Sequence, residues 1–270
     1  MVADLKGARA VLTGGSQGLG PYIARTLSAE GMKLALVARS RDKLEGVARS
    51  IGSRGATCVA IAGDVTNDDD RRRIIAEAER SIGPIDVLVN NAGIECGGRF
   101  VGRAPDEIVA LVSTNVTAPM LLARAVLPGM VERGRGHIVN IASIAGKLGY
   151  PFAAAYGGTK AALIAWGAAL RVELEGTGVS VTTVSPGYVK GAGMFDAHYR
   201  KPPRVLSETT PEAVASGVLR ALRADPVEVV VSGRPFWPVQ ALYAIAPGPV
   251  MAVFKRLGVI DYMRDMLEGP

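Results

Sequence analysis

Cysteine and histidine are scarce, with two of each in the 270-residue chain. Cys58 and Cys96 have neither the paired spacing of a metal or redox motif nor the number that a disulfide framework needs, so both are expected to be reduced and structural. His137 and His198 stand apart from other ligand types, which leaves a metal site without support. Aromatic residues make up 5% of the chain. No dense basic run is interleaved with them, so the signature of a nucleic-acid surface is missing despite a net charge of +6. The one basic cluster, Arg71 to Arg73, follows Asp68 to Asp70, as at a helix N-terminus followed by a solvated face. No apolar run of ~20 residues is free of helix breakers, and Met1 to Lys6 lacks the basic start and apolar stretch of a signal peptide. A cytoplasmic chain is expected.

What remains is an alternation of apolar strands and amphipathic helices. Strands are read over Ala8 to Thr13, Lys33 to Ala38, Thr57 to Ala62, Ile85 to Asn90, Gly136 to Ala142, Val179 to Ser185 and Val227 to Ser232. Helices are read over Asp42 to Ile51, Asp69 to Ile82, Pro105 to Val131 (bent or divided at Pro119) and Ala154 to Leu174. Apolar runs with few polar interruptions suit parallel strands covered on both faces. The fold class is therefore α/β, a doubly wound seven-stranded parallel sheet in one domain over residues 1–270. Its ligand belongs beyond the C-terminal strand ends, where strand order reverses.

Two motifs lie at such ends. Between the first strand and the apolar helix from Pro21 runs Gly14-Gly-Ser-Gln-Gly-Leu-Gly20, a turn whose glycines let backbone approach a pyrophosphate while the helix amides favour its charge. Further on, Tyr156 and Lys160 stand four residues apart, so a helix points a phenol and an ammonium the same way. Their ordinary pKa values, ~10 and ~10.4, make each a poor proton carrier at neutral pH unless neighbours shift it, and a nearby cation favours the phenolate.

With these motifs in place the chain resembles the short-chain dehydrogenase/reductases, single-domain oxidoreductases of the Rossmann type. The family's TGxxxGxG turn is matched by Thr13, Gly14, Gly18 and Gly20. Asp64-Val65, Asn90-Asn-Ala-Gly93, Asn115, Ser143, Tyr156 with Lys160, and Pro186-Gly187 follow in the family's order, over roughly residues 5 to 235. The resemblance implies a nicotinamide dinucleotide held by Gly14, Ser16, Gln17, Gly18, Leu19 and Gly20. Asp64 and Val65 would meet adenine, Asn91, Ala92 and Gly93 would border the adenosine ribose, and Pro186, Gly187 and Val189 would lie at the nicotinamide amide. Where many members carry a threonine after the proline-glycine pair, this chain has Lys190-Gly-Ala-Gly193, and Lys190 is a candidate phosphate contact.

The end of the second strand bears on which dinucleotide binds. An NAD site normally offers a carboxylate ~20 residues past the glycine turn. Here Arg39, Ser40 and Arg41 stand instead, and a guanidinium suits a 2′-phosphate. NADP(H) is expected and NAD(H) stays open, because Gln17 occupies a place where NADP-preferring relatives often carry a second basic residue.

For ketone reduction, Ser143 would hold the carbonyl oxygen and Tyr156 would deliver the proton. Lys160 would lower the phenol's pKa and bind the nicotinamide ribose, and Asn115 would help hold a water that relays protons to the lysine. Gly157 and Gly158, each costing up to ~1 kcal/mol inside a helix, point to close approach by cofactor or partner backbone.

Residues 190–210, with Gly191, Gly193, Met194, Phe195, Tyr199 and Pro202-Pro203, have the composition of a mobile lid with apolar side chains, which favours a hydrophobic ketone or alcohol. Beyond it, residues 236–270 form an apolar extension in which Val250, Met251, Phe254, Leu257 and Met266 alternate with Lys255, Arg256 and Arg264, as in an amphipathic surface helix. Three roles compete for it: packing on a second subunit, closing the substrate pocket, or peripheral membrane contact. Pro238, Pro247 and Pro249 exclude a simple span. The resemblance implies a homodimer or homotetramer joined through the long third and fourth helices. The alternative to an enzyme is a dinucleotide-binding sensor or scaffold without turnover.

Overall fold

A computed structural model describes residues 4–53, 55–192, 203 and 206–268. Its centre is a parallel sheet built from β1 (Arg9–Thr13), β2 (Lys33–Ala38), β3 (Cys58–Ala62), β4 (Val87–Asn90), β5 (Gly136–Ile141), β6 (Val179–Pro186) and β9 (Glu228–Val231). Their spatial order is β3-β2-β1-β4-β5-β6-β9, so the chain reverses direction across the sheet between β1 and β4. All seven strands expected from the sequence are present, within two residues at each end. Two short strands were not expected. These are β7 (Tyr188–Val189) and β8 (Glu208–Thr209), a parallel pair separate from the main sheet.

The strands are apolar along their length because both faces are covered. Ala10, Leu12, Leu34 and Leu36 point into one buried layer with α1 (Gly20–Ala29), α2 (Arg41–Gly52) and α7 (Pro211–Ala224). Val11, Ala35, Val37 and Leu88 point into the other, with α3 (Asp68–Ile82) and α5 (Ala118–Glu132). The side chains that alternate along each strand thus divide between two cores.

The acid-base cluster behaves as read: Asn67 caps α3 by accepting from the Asp70 amide at 3.0 Å, and Asp69 and Asp70 pair with Arg72 and Arg73. Arg71 departs from the solvated-face reading. It is buried and donates to the Val65 carbonyl at 2.8 Å.

The long third helix is divided as expected, though by a device the pattern did not reveal. α4 (Pro105–Val112) passes into a π-helical turn, Ser113–Thr117, and then α5, with Pro119 harmlessly in the first turn of α5. The helical stretch Pro105–Glu132 is long and apolar enough by composition to cross a membrane, yet Leu111, Leu122, Ala123, Val126 and Met130 are buried in the protein.

The glycine pair of α6 (Ala154–Glu173) has a local explanation. A Cβ on Gly157 would lie 3.0 Å from the Ala145 carbonyl oxygen, so the chain's own 3-10 turn, Ile144–Gly146, is a close neighbour. Gly158 has nothing within 4 Å, and its presence is unexplained by packing.

The extension forms three helices, α8 (Trp237–Ile245), α9 (Pro247–Arg256) and α10 (Val259–Glu268). A single helix over 250–267 is not formed. Gly258, at φ 71°, breaks it with a left-handed residue that glycine adopts without strain. Val250, Phe254, Val259 and Met263 are buried and pack with Leu148, Tyr150, Phe152 and Leu206, so much of the apolar face read from the sequence faces inward.

Candidate active site

The turns after β1 and β4 are locked together. Thr13 Oγ1 accepts from the amides of Asn91 and Ala92, both at 3.0 Å, and Asn91 Nδ2 donates to the Thr13 and Gly14 carbonyls at 2.9 and 3.2 Å. Between β1 and α1 the chain folds so tightly that a Cβ on Gly20 would sit 2.1 Å from the Gly14 carbonyl oxygen. Gly14 and Gly18 are left-handed, at φ 67° and 60°. Leu19, at the N-cap of α1, offers no side-chain acceptor; the Gly20 and Tyr22 amides donate instead to the Gln17 and Leu19 carbonyls at 3.2 and 3.1 Å, and in the turn Ser16 is half-buried and Gln17 exposed. A helix N-terminus beside backbone that approaches this closely has the geometry that suits a phosphate.

Arg39 stands at the end of β2, three-quarters exposed, 4.0 Å from the Asp64 carboxylate. So loose an exposed pair holds the guanidinium weakly, which leaves it able to turn to an anion. Asp64 itself is engaged by the amide and hydroxyl of Thr66 at 2.8 and 2.7 Å. Val65 is buried, and Ser40 occupies the N-cap of α2 without a side-chain bond.

Across the reversal point, α6 brings Tyr156 and Lys160 to the same place. Both are nearly fully buried, and Lys160 Nζ lies 5.6 Å from the centroid of the Tyr156 ring while donating to the Ile141 carbonyl at 2.9 Å. Ser143 follows β5. Its Oγ accepts from the Ala145 amide at 3.1 Å, capping the 3-10 turn, and it is also hydrogen-bonded to Tyr156. The cap reading and the site reading of Ser143 therefore hold together.

Asn115, fully buried in the π turn, accepts from the Ile94 amide at 2.9 Å and donates to the Ile94 carbonyl and Thr159 Oγ1 at 2.8 and 3.2 Å. A Cβ on Gly93 would lie 3.3 Å from Asn115 Oδ1 and 3.6 Å from Lys160 Nζ, so these elements meet at Gly93.

Within the chain itself, burial dominates the protonation of the pair. Burial pushes Tyr156 well above its ordinary value, with Ser143 opposing and the charge of Glu95 adding to the rise. Burial pulls the Lys160 ammonium down to about 8. The lysine, turned toward the Ile141 carbonyl, does not overcome the cost of a buried phenolate.

The short chain dehydrogenase family matches residues 8–202. The chain belongs to that family. Ketoacyl reductase HetN of Nostoc sp. (strain PCC 7120) is 39% identical over 273 residues, covering 99% of this chain and 95% of the relative. Dehydrogenase/reductase SDR family member 7B of Bos taurus is 34% identical, covering 92% and 80%. Among solved structures, a variant of actinorhodin polyketide ketoreductase with NADPH superposes with a TM-score of 0.76 at 30% identity, covering 84% of this chain and 96% of its own. A metagenomic short-chain oxidoreductase in complex with NADP gives 0.72 at 34%, covering 84% and 98%. The protein is thus an oxidoreductase with the Rossmann-type sheet expected from its sequence.

In this oxidoreductase Pro186 ends β6, the Gly187 amide donates to the Val231 carbonyl at 2.8 Å, and Val189 pairs with Thr209 in the small sheet. The Lys190 amide donates to the Thr209 carbonyl at 3.1 Å. Most of the expected lid, with Gly193, Met194, Phe195, Tyr199 and Pro202, and also His198, lies outside the described residues.

Sequence reading missed the residues that the extension brings in. Lys147 Nζ bonds Glu228 and Gln240 at 2.6 and 3.1 Å, Tyr243 Oη accepts from the Gly149 amide at 2.8 Å, and Tyr150 and Tyr188 share a hydrogen bond. The Tyr188 ring also meets Tyr262 of α10 edge to face. No local spacing connects these positions.

Beside the site lies a cavity of about 490 Å³ lined in part by Glu95, Cys96, Arg103, Met266 and Leu267. Glu95 Oε2 and Arg103 Nε are buried there without hydrogen-bond partners, and burial pushes the Glu95 carboxyl up to about 7, with Arg103 opposing. Its ordinary value is 4.5. As pH rises from there toward 7 the unfolded chain releases its proton first, so folding weakens across that window and the cost is complete above it. Glu95→Gln is therefore expected to gain Tm over the parent between ~pH 5 and ~pH 8. Melting curves at the two pH values check this; a constant difference would mean that the carboxyl ionises as freely in the fold as outside it.

Proposed function

We propose that this oxidoreductase interconverts a ketone and a secondary alcohol using NADP(H), on a hydrophobic small molecule. The observation that carries the reading is the meeting of Ser143, Tyr156 and Lys160 beside the glycine turn, at the reversal of strand order. The positive end of α1 and the close-folded glycines fit a pyrophosphate, and loosely held Arg39 fits a 2′-phosphate. Glycine-turn residues from Gly14 to Gly20, Arg39 and Ser40, Asp64 and Val65, Asn91 to Gly93, and Pro186, Gly187 and Val189 would hold the dinucleotide. When bound, the nicotinamide supplies or accepts a hydride.

The chain's own residues then manage the oxygen and its proton. Ser143 donates a hydrogen bond to the carbonyl oxygen and stabilises its growing charge. Burial keeps the Tyr156 phenol protonated at neutral pH, the form a proton donor needs for reduction. Once the phenol has given its proton, a buried phenolate is costly and takes another from Lys160, whose ammonium, at about 8, releases one readily. Asn115, with its side chain committed to Ile94, acts by holding the π turn against Gly93 and Lys160. Solvent water returns the proton to Lys160, by a route that does not use the committed Asn115 side chain.

Hydrophobic substrate is supported by Leu111, Tyr150 and Leu267 packed with Tyr156. Exposed Val109, Val112 and Leu121 on α4 and α5, with Val172 on α6, support self-association along those helices. The test is a carbonyl panel of steroids, long-chain ketones and small diketones run with both NADPH and NADH. NADPH is expected to be preferred at least ~10-fold, and Arg39→Asp to reverse the preference, since a lost charge-assisted phosphate contact is replaced by repulsion. Equal use of both dinucleotides, unchanged by Arg39→Asp, would remove the 2′-phosphate role. NADPH binding without oxidation across the whole panel would remove the enzyme reading.

A further inference from the structure

Helix α8 is unusual for a surface helix: none of its residues is buried, and Trp-Pro-Val-Gln-Ala-Leu-Tyr-Ala-Ile contains no charge. Trp237, Ala241 and Ile245 recur every four residues, with Pro238 and Leu242 in the adjacent row, so they form one outward stripe. Gln240 and Tyr243 leave from the other side, toward Lys147 and Gly149. Trp237 is 72% exposed, Leu242 56% and Ile245 84%. α9 packs on α8 and adds exposed Val253, with Leu257 just beyond its end. An ordinary amphipathic helix turns polar residues outward; here the hydrogen-bonding residues face the protein and the outward side is apolar.

The charges around the stripe decide between occupants. On α8 and α9 the only charges are Lys255 and Arg256, with Arg234 just before α8, all exposed; the flanking acids, Glu228 and Asp261, lie outside these helices and pair with Lys147 and Arg264. A symmetric contact with a second copy would set this cationic surface against itself. An anionic lipid surface pairs with it and accepts the apolar stripe. Nine residues of helix span only ~14 Å, so α8 lies on a bilayer and does not cross it.

We propose that α8 and the outer side of α9 dock on an anionic membrane surface, with Trp237, Leu242 and Ile245 at the boundary of headgroups and acyl chains and Lys255 and Arg256 against lipid phosphates. The inner side of the same extension packs on Tyr150, which also packs in the cluster of Tyr156. Docking therefore sets the proposed ketone site beside the source of a lipophilic substrate. That consequence rests on the oxidoreductase reading, whereas the docking does not.

The experiment is flotation of the whole chain with phosphatidylglycerol or phosphatidylcholine vesicles, with mass by light scattering in parallel. The chain is expected to float with phosphatidylglycerol and at least ~10-fold less with phosphatidylcholine or in ~0.5 M salt. Leu242→Glu with Ile245→Glu, and separately Lys255→Glu with Arg256→Glu, are each expected to lower partitioning at least ~10-fold. The second pair changes only exposed charge and guards against misfolding of the first. Failure to float with phosphatidylglycerol overturns the proposal. So does flotation that neither double variant weakens. A dimer that Leu242→Glu with Ile245→Glu converts to monomer, in a chain that does not float, assigns the face to a second copy. Flotation needs no turnover, so an inactive chain that floats loses only the oxidoreductase reading.

Discussion

Tyr156→Phe is expected to lower NADPH-dependent ketone reduction by ~10²- to 10⁴-fold, the usual scale for a positioned acid, while the dissociation constant for NADPH changes by no more than ~3-fold. Only the hydroxyl is removed, so the buried ring keeps its packing with Leu111 and Ala145 and the fold should persist. Parent activity should also fall as pH rises through about 8, because the Lys160 ammonium pulled down to that value is the proposed source of the replacement proton. Lys160→Met should remove that descending limb and weaken cofactor binding as well. Single-turnover rates measured alongside cofactor titration separate the two effects. Turnover within ~10-fold of the parent in Tyr156→Phe would mean that the proton comes from another group.

Gly20→Ala is expected to lower cofactor affinity by at least ~10-fold and to destabilise the chain by ~1–3 kcal/mol, the range for forcing atoms into a packed site. Helix propensity alone points the other way, since alanine is favoured over glycine by ~1 kcal/mol in a helix. The clash wins because the new methyl would stand 2.1 Å from the Gly14 carbonyl oxygen, a backbone atom of the turn that forms the phosphate cradle. Gly158→Ala is the matched control. It lies in α6 with nothing within 4 Å, so propensity acts unopposed and a gain of ~0.5–1 kcal/mol is expected. Thermal melts with and without NADPH measure both. Equal gains in the two variants would show the turn to be looser than its geometry indicates.

The contrast between these glycines marks how far sequence reading reaches. Gly20 was legible because strand, glycine turn and helix are consecutive, so local spacing carried the structure. The same holds for Tyr156 with Lys160, one helical turn apart, and for the seven strands, whose apolar runs reflect a sheet covered on both sides. Asn115 was legible as a position but not as an arrangement. Its π turn and its bonds to Ile94 depend on how two distant segments meet. Gly157 and Gly158 look alike in sequence, yet one abuts Ala145 and the other nothing.

Glu95, Lys147, Tyr150 and Tyr188 carry no local signature, because what distinguishes them is burial by α8 to α10 or by the cavity wall. The sequence pattern over 250–267 suits one amphipathic helix, with subunit packing, pocket closure and membrane contact all open to its apolar side. Gly258 divides it, and Val250 and Phe254 turn inward, so the outward apolar face belongs to α8.

By itself the sequence determined the order of strands, turns and helices and the chemical groups placed at the strand ends, since these follow from contacts between near neighbours along the chain. Tertiary structure alone decided which of those groups lose water. Desolvation holds Tyr156 protonated, brings Lys160 to about 8 and Glu95 to about 7, and it depends on segments a hundred residues apart closing over one another.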